Sequence, residues 1–298
     1  MSRFTIFVFL DSCTPEELLR SFRTEFIRFP REVSGKDYTQ NMELFFKDYG
    51  KGNRGLLILH GLLGSGRNWH TISSSLSQKR RVIAPDLRNH GRSPHSKEHH
   101  VFDMASDVIE LQNKLHLKPS VILGHSMGGA VAIELALHSP EYVDGLVVVD
   151  IFPKPHRSSV LFVLNAMAEI NLRDFSSKQE VDRLLARSIA DPAVRQFVLT
   201  NLQSTSSGLQ WRINLDVLLQ FLRESQKQSL GPADVYDGPT LFIRGERSNY
   251  VLDEDIPDIK HHFPQAEILT IPNAGHWVHH DAPNEMLAAV EKFLERIH

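Results

Sequence analysis

Several stretches of this chain are apolar at every position, and they constrain its fold more than any other feature. Leu56-Leu57-Ile58-Leu59, Val121-Ile122-Leu123, Leu146-Val147-Val148-Val149 and Leu241-Phe242-Ile243 show no alternation of polar and apolar residues. A strand with one face in water alternates. A strand that does not is buried on both faces, as in a parallel sheet covered by helices. Residues 44–46, 82–84 and 268–271 complete the predicted strands. Helical periodicity over 101–115, 129–138 and 285–296 accompanies them along the chain. The pattern predicts an α/β fold with a mostly parallel, doubly wound sheet.

The alternation stops between residue 153 and about residue 229. There the periodicity is helical, at 160–170, 178–189 and 217–226, and no strand is predicted. The segment reads as a helical cap inserted between two strands of the sheet. Residues 1–41 read as an N-terminal extension and 42–298 as the α/β domain. Within the extension, Thr14-Pro15-Glu16-Glu17 supplies a capping hydroxyl, a proline in the first turn and then acids. Leu18, Phe22, Phe26 and Phe29 follow at helical spacing, so a helix is expected there.

A net charge of -3 leaves no basic excess for nucleic acid. Cys13 is the sole cysteine, which excludes an intrachain disulfide and suits a reducing compartment. No run is long and apolar enough to cross a bilayer. Arg3, Arg20, Arg23, Arg28 and Arg31 suggest an organellar address, while Asp11, Glu16, Glu17 and Glu25 speak against one. The expected location is intracellular, either cytoplasmic or mitochondrial. The pairs His99-His100 and His261-His262 lack acidic or cysteine companions at ligand spacing, so neither a metal nor another cofactor is expected.

The chemistry is carried by Gly124-His125-Ser126-Met127-Gly128-Gly129, which joins a buried strand to an alanine-rich helix. Gly-x-Ser-x-Gly in that context is a nucleophile elbow, with Ser126 on a sharp, strained turn. The two glycines let strand and helix approach closely. The helix N-terminus behind Ser126 favours negative charge there. A second buried strand runs into His60-Gly61-Leu62-Leu63-Gly64. Such a loop supplies one backbone N–H of an oxyanion hole, and the residue after the serine supplies the other. Leu62 and Met127 are assigned those roles. His60, Gly61, His125 and Trp277 are placed around the substrate pocket, with His60 also orienting the loop.

The chain order expected for this arrangement is serine, acid, histidine. His276 follows the last strand on a glycine-bearing loop and is the expected base. His279 and His280 fall nearer the final helix and read as surface or pocket wall. The acid is harder to place. After the next-to-last strand, Gly245-Glu246-Arg247-Ser248 has serine where Gly-Glu-x-Asp would have its acid. Asp150 follows four apolar strand residues, where a carboxylate is expensive to bury without a partner. It lies at the C-terminal end of a strand, where α/β active sites form. Asp150 is the preferred acid, Asp216 is the alternative, and Glu246, Asp253 and Asp255 are lesser rivals. The bland alternative for Asp150 is a carboxylate that caps the entry to the helical insert.

Taken together, His60-Gly61-Leu62-Leu63-Gly64-Ser65, Asp86-Leu87-Arg88-Asn89-His90-Gly91-Arg92-Ser93-Pro94, the elbow, Val149-Asp150-Ile151, Gly238-Pro239-Thr240-Leu241-Phe242 and Pro272-Asn273-Ala274-Gly275-His276-Trp277-Val278-His279 resemble the alpha/beta hydrolases. Within them the motifs are similar to a group of small esterases with bacterial and animal members. The likeness runs from roughly Met42 to the end. It implies esterase or thioesterase activity on short- to medium-chain acyl substrates, with acyl-CoA among those of bacterial members and a mitochondrial location for animal ones. The bacterial pattern puts the acid at the position of Asp150, whereas animal members are described with it at the position of Asp216. Arg244-Gly245-Glu246 departs from the double glycine usual in the group, so a different pocket wall is expected.

The expected partner is therefore a small acyl ester or thioester, attacked by Ser126 to give an acyl-enzyme. A protein partner is not read from the sequence. Two other functions use the same fold: a non-hydrolytic binding or protective protein, and a lyase or hydrolase of C–C bonds. Retention of serine, histidine and a candidate acid weighs against the first. Activity on a diketone but not on esters would mark the second.

Overall fold

The computed structural model describes residues 42–154, 160–225 and 229–297. The chain divides into two units, Met1–Asp37 and Tyr38–His298, and the described residues belong to the second. The helix expected near residues 14–29, and Cys13, lie outside them.

The first strands are β1 (Phe46–Tyr49), β2 (Gly55–Leu59), β3 (Arg81–Pro85), β4 (Ser120–His125) and β5 (Val143–Val149). A hairpin of β6 (Leu202–Thr205) and β7 (Gly208–Trp211) follows, then β8 (Thr240–Gly245) and β9 (Ala266–Ile271). Seven strands form one sheet in the order β1-β3-β2-β4-β5-β8-β9. β1 runs antiparallel to β3, and the other pairings in the sheet are parallel. Every residue of β2 and β4 is buried, as their unbroken apolar runs require.

Alternate residues feed opposite faces. Leu57, Leu59, Ile122, Leu146 and Val148 pack on one side with Met104 and Val108 of α2 (Val101–Leu115) and Val131 and Leu135 of α3 (Met127–His138). Leu56, Ile58, Val121, Val147 and Val149 pack on the other with Ile72 of α1 (His70–Leu76) and Met286 and Val290 of the C-terminal helix Pro283–Arg296. The expected fold class is the observed one.

Between β5 and β8 lie α4 (Val160–Ala168), α5 (Lys178–Leu185), α6 (Pro192–Leu199) and α7 (Leu215–Ser225). They share a separate apolar core that includes Leu164, Val181, Leu185, Val198 and Leu218. The sequence announces some of their ends. Ser177 and Glu180 form a capping box at the start of α5, and the Asp191 carboxylate accepts the Ala193 N–H at the start of α6. After β8 come α8 (Ile256–His262), α9 (Val278–Asp281) and the C-terminal helix, α10. No helix of the described residues is long and apolar enough to cross a membrane.

Two expectations need correction. The insertion is not wholly helical, because β6 and β7 pair there from Leu202–Trp211 to Thr205–Gly208. Their residues are mostly polar, so no apolar run marked them. The available signal was Ser206-Ser207-Gly208, a turn sequence, and Gly208 sits at φ +107° where an L side chain would be strained. The first strand also begins later than 44–46. Leu44 is buried, but the Phe45 N–H donates to Ser93 Oγ, and pairing with β3 starts at Phe46.

A column of buried histidines braces the loops above β2 and β3. His60 Nε2 accepts the Leu87 N–H at 2.9 Å, which leaves the proton on Nδ1 to bond the Gly61 carbonyl at 2.8 Å. His90 Nε2 accepts the Leu63 N–H at 3.3 Å, and its Nδ1–H donates to the Arg88 carbonyl at 2.9 Å. His99 takes a bond from the Asn89 amide on Nδ1, while Nε2 has no partner among the described residues. Burial holds all three below the ordinary imidazole pKa. For His99, burial and then the nearby Arg88 charge push the value down to about 3. The unfolded chain therefore takes up a proton below about pH 6.5 that the folded chain refuses until about pH 3, so stability falls as pH drops through that window. At pH 5, His99 alone is expected to cost about 2 kcal/mol relative to neutral pH. Urea unfolding at pH 7.5 and 5 should show His99→Gln losing less stability than the parent by about that amount. An unchanged pH dependence would contradict it.

Candidate active site

Ser126 lies between β4 and α3 at φ 52° and ψ −119°, a strained conformation for a residue with a side chain. The surrounding chain enforces it. The Ser126 N–H donates to the Val149 carbonyl at 3.0 Å, and the Ala130 N–H donates to the Ser126 carbonyl at 3.0 Å. A Cβ on Gly124 would lie 2.1 Å from the Gly128 carbonyl oxygen, and one on Gly128 would lie 2.4 Å from that of Leu59. Only glycine allows strand and helix to close on the turn this tightly.

His276, after β9, reaches Ser126 from the far end of the chain. Its Nε2 is 3.0 Å from Ser126 Oγ, and its Nδ1 is 2.7 Å from Asp150 Oδ2. Asp150 has no exposed surface. A carboxylate on Nδ1 fixes the proton there and leaves Nε2 as the acceptor facing the hydroxyl. The Gly245 N–H donates to Asp150 Oδ1 at 3.1 Å, and the Ser248 hydroxyl donates to Oδ2. Gly245 also makes room for the histidine loop, since a Cβ there would sit 2.2 Å from the Gly275 carbonyl oxygen. A hydroxyl, an imidazole and a carboxylate linked in this order can pass the serine proton to the ring while the oxygen attacks an electrophile.

Ser126 opens into a cavity lined also by Leu62, Met127, Ile151, Phe221 and Tyr250. Met127 is the first residue of α3, so its N–H is among those left without an intrahelical partner. Leu62 lies on the loop closed by the Gly64 N–H to the Gly61 carbonyl at 2.9 Å. A Cβ on Gly61 would meet Ser126 Cβ at 3.2 Å, so this loop runs directly against the serine. The insertion holds the loop as well, because the Asn201 amide donates to the Leu63 carbonyl at 2.9 Å.

The other candidates are placed elsewhere. Asp216 is exposed in the first turn of α7 and lines a shallow surface groove with Gln220 and Arg223. It is not brought to His276, whose Nδ1 is taken by Asp150. Glu246 accepts the Asn273 N–H, Asp253 pairs with Arg244, and Asp255 pairs with Lys154. His60, Gly61, His125 and Trp277, expected around the pocket, do not line the cavity. His60 is fully buried beneath the loop. The His125 Nε2–H donates to the His276 carbonyl at 2.8 Å, and Trp277 lies against Phe197 of the insertion. Gly61 lies against Ser126, while the His60, His125 and Trp277 side chains are spent on the frame of the site. His279 stacks on Trp69, while His261 and His262 bond backbone carbonyls. Among the described residues there is no group of three or more His, Cys, Asp or Glu that could hold a metal ion.

Two residues of the site escaped the sequence reading. Ser248 looked like the loss of an acid, and Tyr250 carried no motif. Tyr250 stacks on the His276 ring, with centroids 3.8 Å apart. The signal for Ser248 was its position: a hydroxyl where a carboxylate was expected stands beside whatever carboxylate serves instead.

A family model described as "alpha/beta hydrolase fold" matches residues 56–283. The chain is 38% identical over 300 residues to the sn-1-specific diacylglycerol lipase ABHD11 of Danio rerio, covering 96% of this chain and 93% of that one. It is 30% identical to the esterase YbfF of Escherichia coli, covering 81% and 93%. A solved marine microorganism esterase superposes with a TM-score of 0.82 at 35% identity, covering 85% of this chain and 99% of that one. The protein belongs to the alpha/beta hydrolase fold family, among relatives that are esterases and lipases.

Proposed function

We propose that this protein is a serine hydrolase that cleaves carboxylic esters or thioesters of short to medium acyl chains. The observation that carries the reading is the unbroken chain of hydrogen bonds from Ser126 through His276 to the buried Asp150. Ser126 Oγ attacks the acyl carbonyl as its proton passes to His276 Nε2. The carbonyl oxygen takes up the negative charge and is met by the Leu62 and Met127 N–H groups. The tetrahedral intermediate collapses, the proton passes from His276 to the leaving oxygen or sulfur, and an acyl-enzyme remains. Water, deprotonated by His276, then releases the acid.

The cavity favours the short end of the acyl range. Among the described residues its volume is about 80 Å³, against about 300–1,000 Å³ for sites that bury drug-sized ligands. Its lining is largely apolar, and Phe221 and Leu222 come from the insertion, which on this reading serves as a cap. The zebrafish relative is named as a diacylglycerol lipase, which supports an oxygen ester as substrate.

A chromogenic short-chain ester should give a burst followed by steady turnover, and a fluorophosphonate should label Ser126. Well-folded protein with neither burst nor turnover would overturn the reading. Ser126→Ala should remove labelling and lower turnover by at least about 10⁴-fold, and Asp150→Asn should lower it by about 10⁴-fold. Asp216→Asn should stay within about twofold of the parent, because its side chain is exposed and the His276 ring nitrogens are bonded to Asp150 and Ser126 instead. If Asp216→Asn were instead the crippled variant, Asp150 would not be the acid.

Ser248 supports the acid through a hydrogen bond to a charged group, an interaction worth about 1.5–3 kcal/mol. Ser248→Ala should accordingly lower kcat by about tenfold or more and leave KM nearly unchanged. Steady-state kinetics on the same ester will show it. An effect confined to KM would mean that Ser248 shapes the pocket instead.

A further inference from the structure

The loop after β8 reaches the base as well as the acid. Tyr250 and His276 lie face to face, with ring centroids 3.8 Å apart and planes inclined by 17°. The polar edges of the imidazole are already taken by Ser126 on Nε2 and Asp150 on Nδ1. The His125 ring is also near, 4.8 Å away and tilted by 43°. Burial, and then the charge of His276, hold His125 in its neutral form, so it adds no second cation there. Tyr250 is joined to the acid through the same turn, because its N–H donates at 3.2 Å to the Ser248 hydroxyl that bonds Asp150.

We propose that Tyr250 is a catalytic residue whose ring face stabilises the imidazolium form of His276 during acyl transfer. This rests on the hydrolase reading above. An aromatic face carries partial negative charge and attracts a cation held over it. With neutral imidazole the pair gains only ring packing. When Ser126 Oγ bonds the acyl carbon, its proton moves to His276 Nε2 and the carbonyl electron pair moves to oxygen. The ring is then positive until that proton passes to the leaving group. The contact between Tyr250 and His276 is therefore stronger in the transition state than in the resting enzyme, which is the condition for accelerating a step. Asp150 acts on the edge of the imidazolium and Tyr250 on its face, so the two contributions do not compete for the same atoms.

Tyr250 also lines the cavity, so packing and charge stabilisation have to be separated. The test places Tyr, Phe, Leu and a series of progressively fluorinated phenylalanines at position 250 and measures kcat, KM and melting temperature with a short-chain ester. Phe keeps the electron-rich face and should stay within about twofold of Tyr in kcat. Leu should lower kcat by about tenfold, with a smaller change in KM. Fluorine withdraws density from the ring face at nearly constant shape, so kcat should fall stepwise along the series. A flat series, or Leu equal to Phe, overturns the proposal; if Leu fails to fold, the fluorinated rings decide. Ser126→Ala is measured alongside. Turnover retained in that variant means the hydrolase reading itself has failed. An inactive Ser126→Ala with a flat fluorine series means that only the role of Tyr250 has failed.

Discussion

A fully buried carboxylate organises the C-terminal half of this protein. Asp150 has no solvent to satisfy it, and an unpaired carboxylate at such a depth would cost several kcal/mol. Three donors converge on it: the Gly245 N–H, the Ser248 hydroxyl and the His276 ring. Two of them come from the end of β8 and its loop, the third from the loop after β9. Sheet order makes this possible, since β8 lies beside β5 and β9 beside β8. One buried charge thus draws two loops together over the end of β5. The imidazole that faces Ser126 is oriented as a consequence.

The same adjacency explains why the carboxylate that faces His276 was only partly legible in the sequence. The ends of β5 and β8 are nearly a hundred residues apart along the chain but neighbours in the sheet. A carboxylate from either end can reach the same imidazole. Sequence displays Asp150 and Ser248 as separate facts, one acid without a partner and one missing acid. The fold makes them a single hydrogen bond. The serine elbow and the doubly buried strands were legible because their constraints are local: a turn flanked by two positions with room only for glycine, and strands without a wet face. The pocket was misread for the opposite reason. His60 and His125 adjoin Gly61 and Ser126 in the chain, but the pleat and the turn send their side chains under the site, where they bond backbone.

The insertion does more than cover the cavity. Leu63 takes a left-handed backbone, φ 62°, which costs a branched side chain about 1–3 kcal/mol. Its side chain is 2% exposed and belongs to the apolar core of the insertion, and its carbonyl accepts from Asn201 of that same insertion. Its N–H is held by His90 from below. The strained residue is thus pinned from both sides, and Leu62, the expected oxyanion donor, is its neighbour. Asn214 adds a second tie, bonding the Asn89 backbone and side chain beside the histidine column.

These contacts link two functions that would otherwise seem separate. Withdrawing the insertion would remove both the apolar burial and the carbonyl partner that offset the strain at Leu63. The residue would then relax toward an ordinary backbone conformation, and the preceding peptide would turn with it. That peptide joins Leu63 to Leu62, the residue whose own N–H, on the proposed mechanism, meets the developing oxyanion, so the donor's loop shifts with it. Enclosure of the acyl group and aim of the oxyanion donor therefore depend on the same few contacts. On the proposed mechanism the insertion shares in the catalytic geometry, through its polar ties to the Leu63 and Asn89 loops as well as the apolar side chains it presents to the cavity.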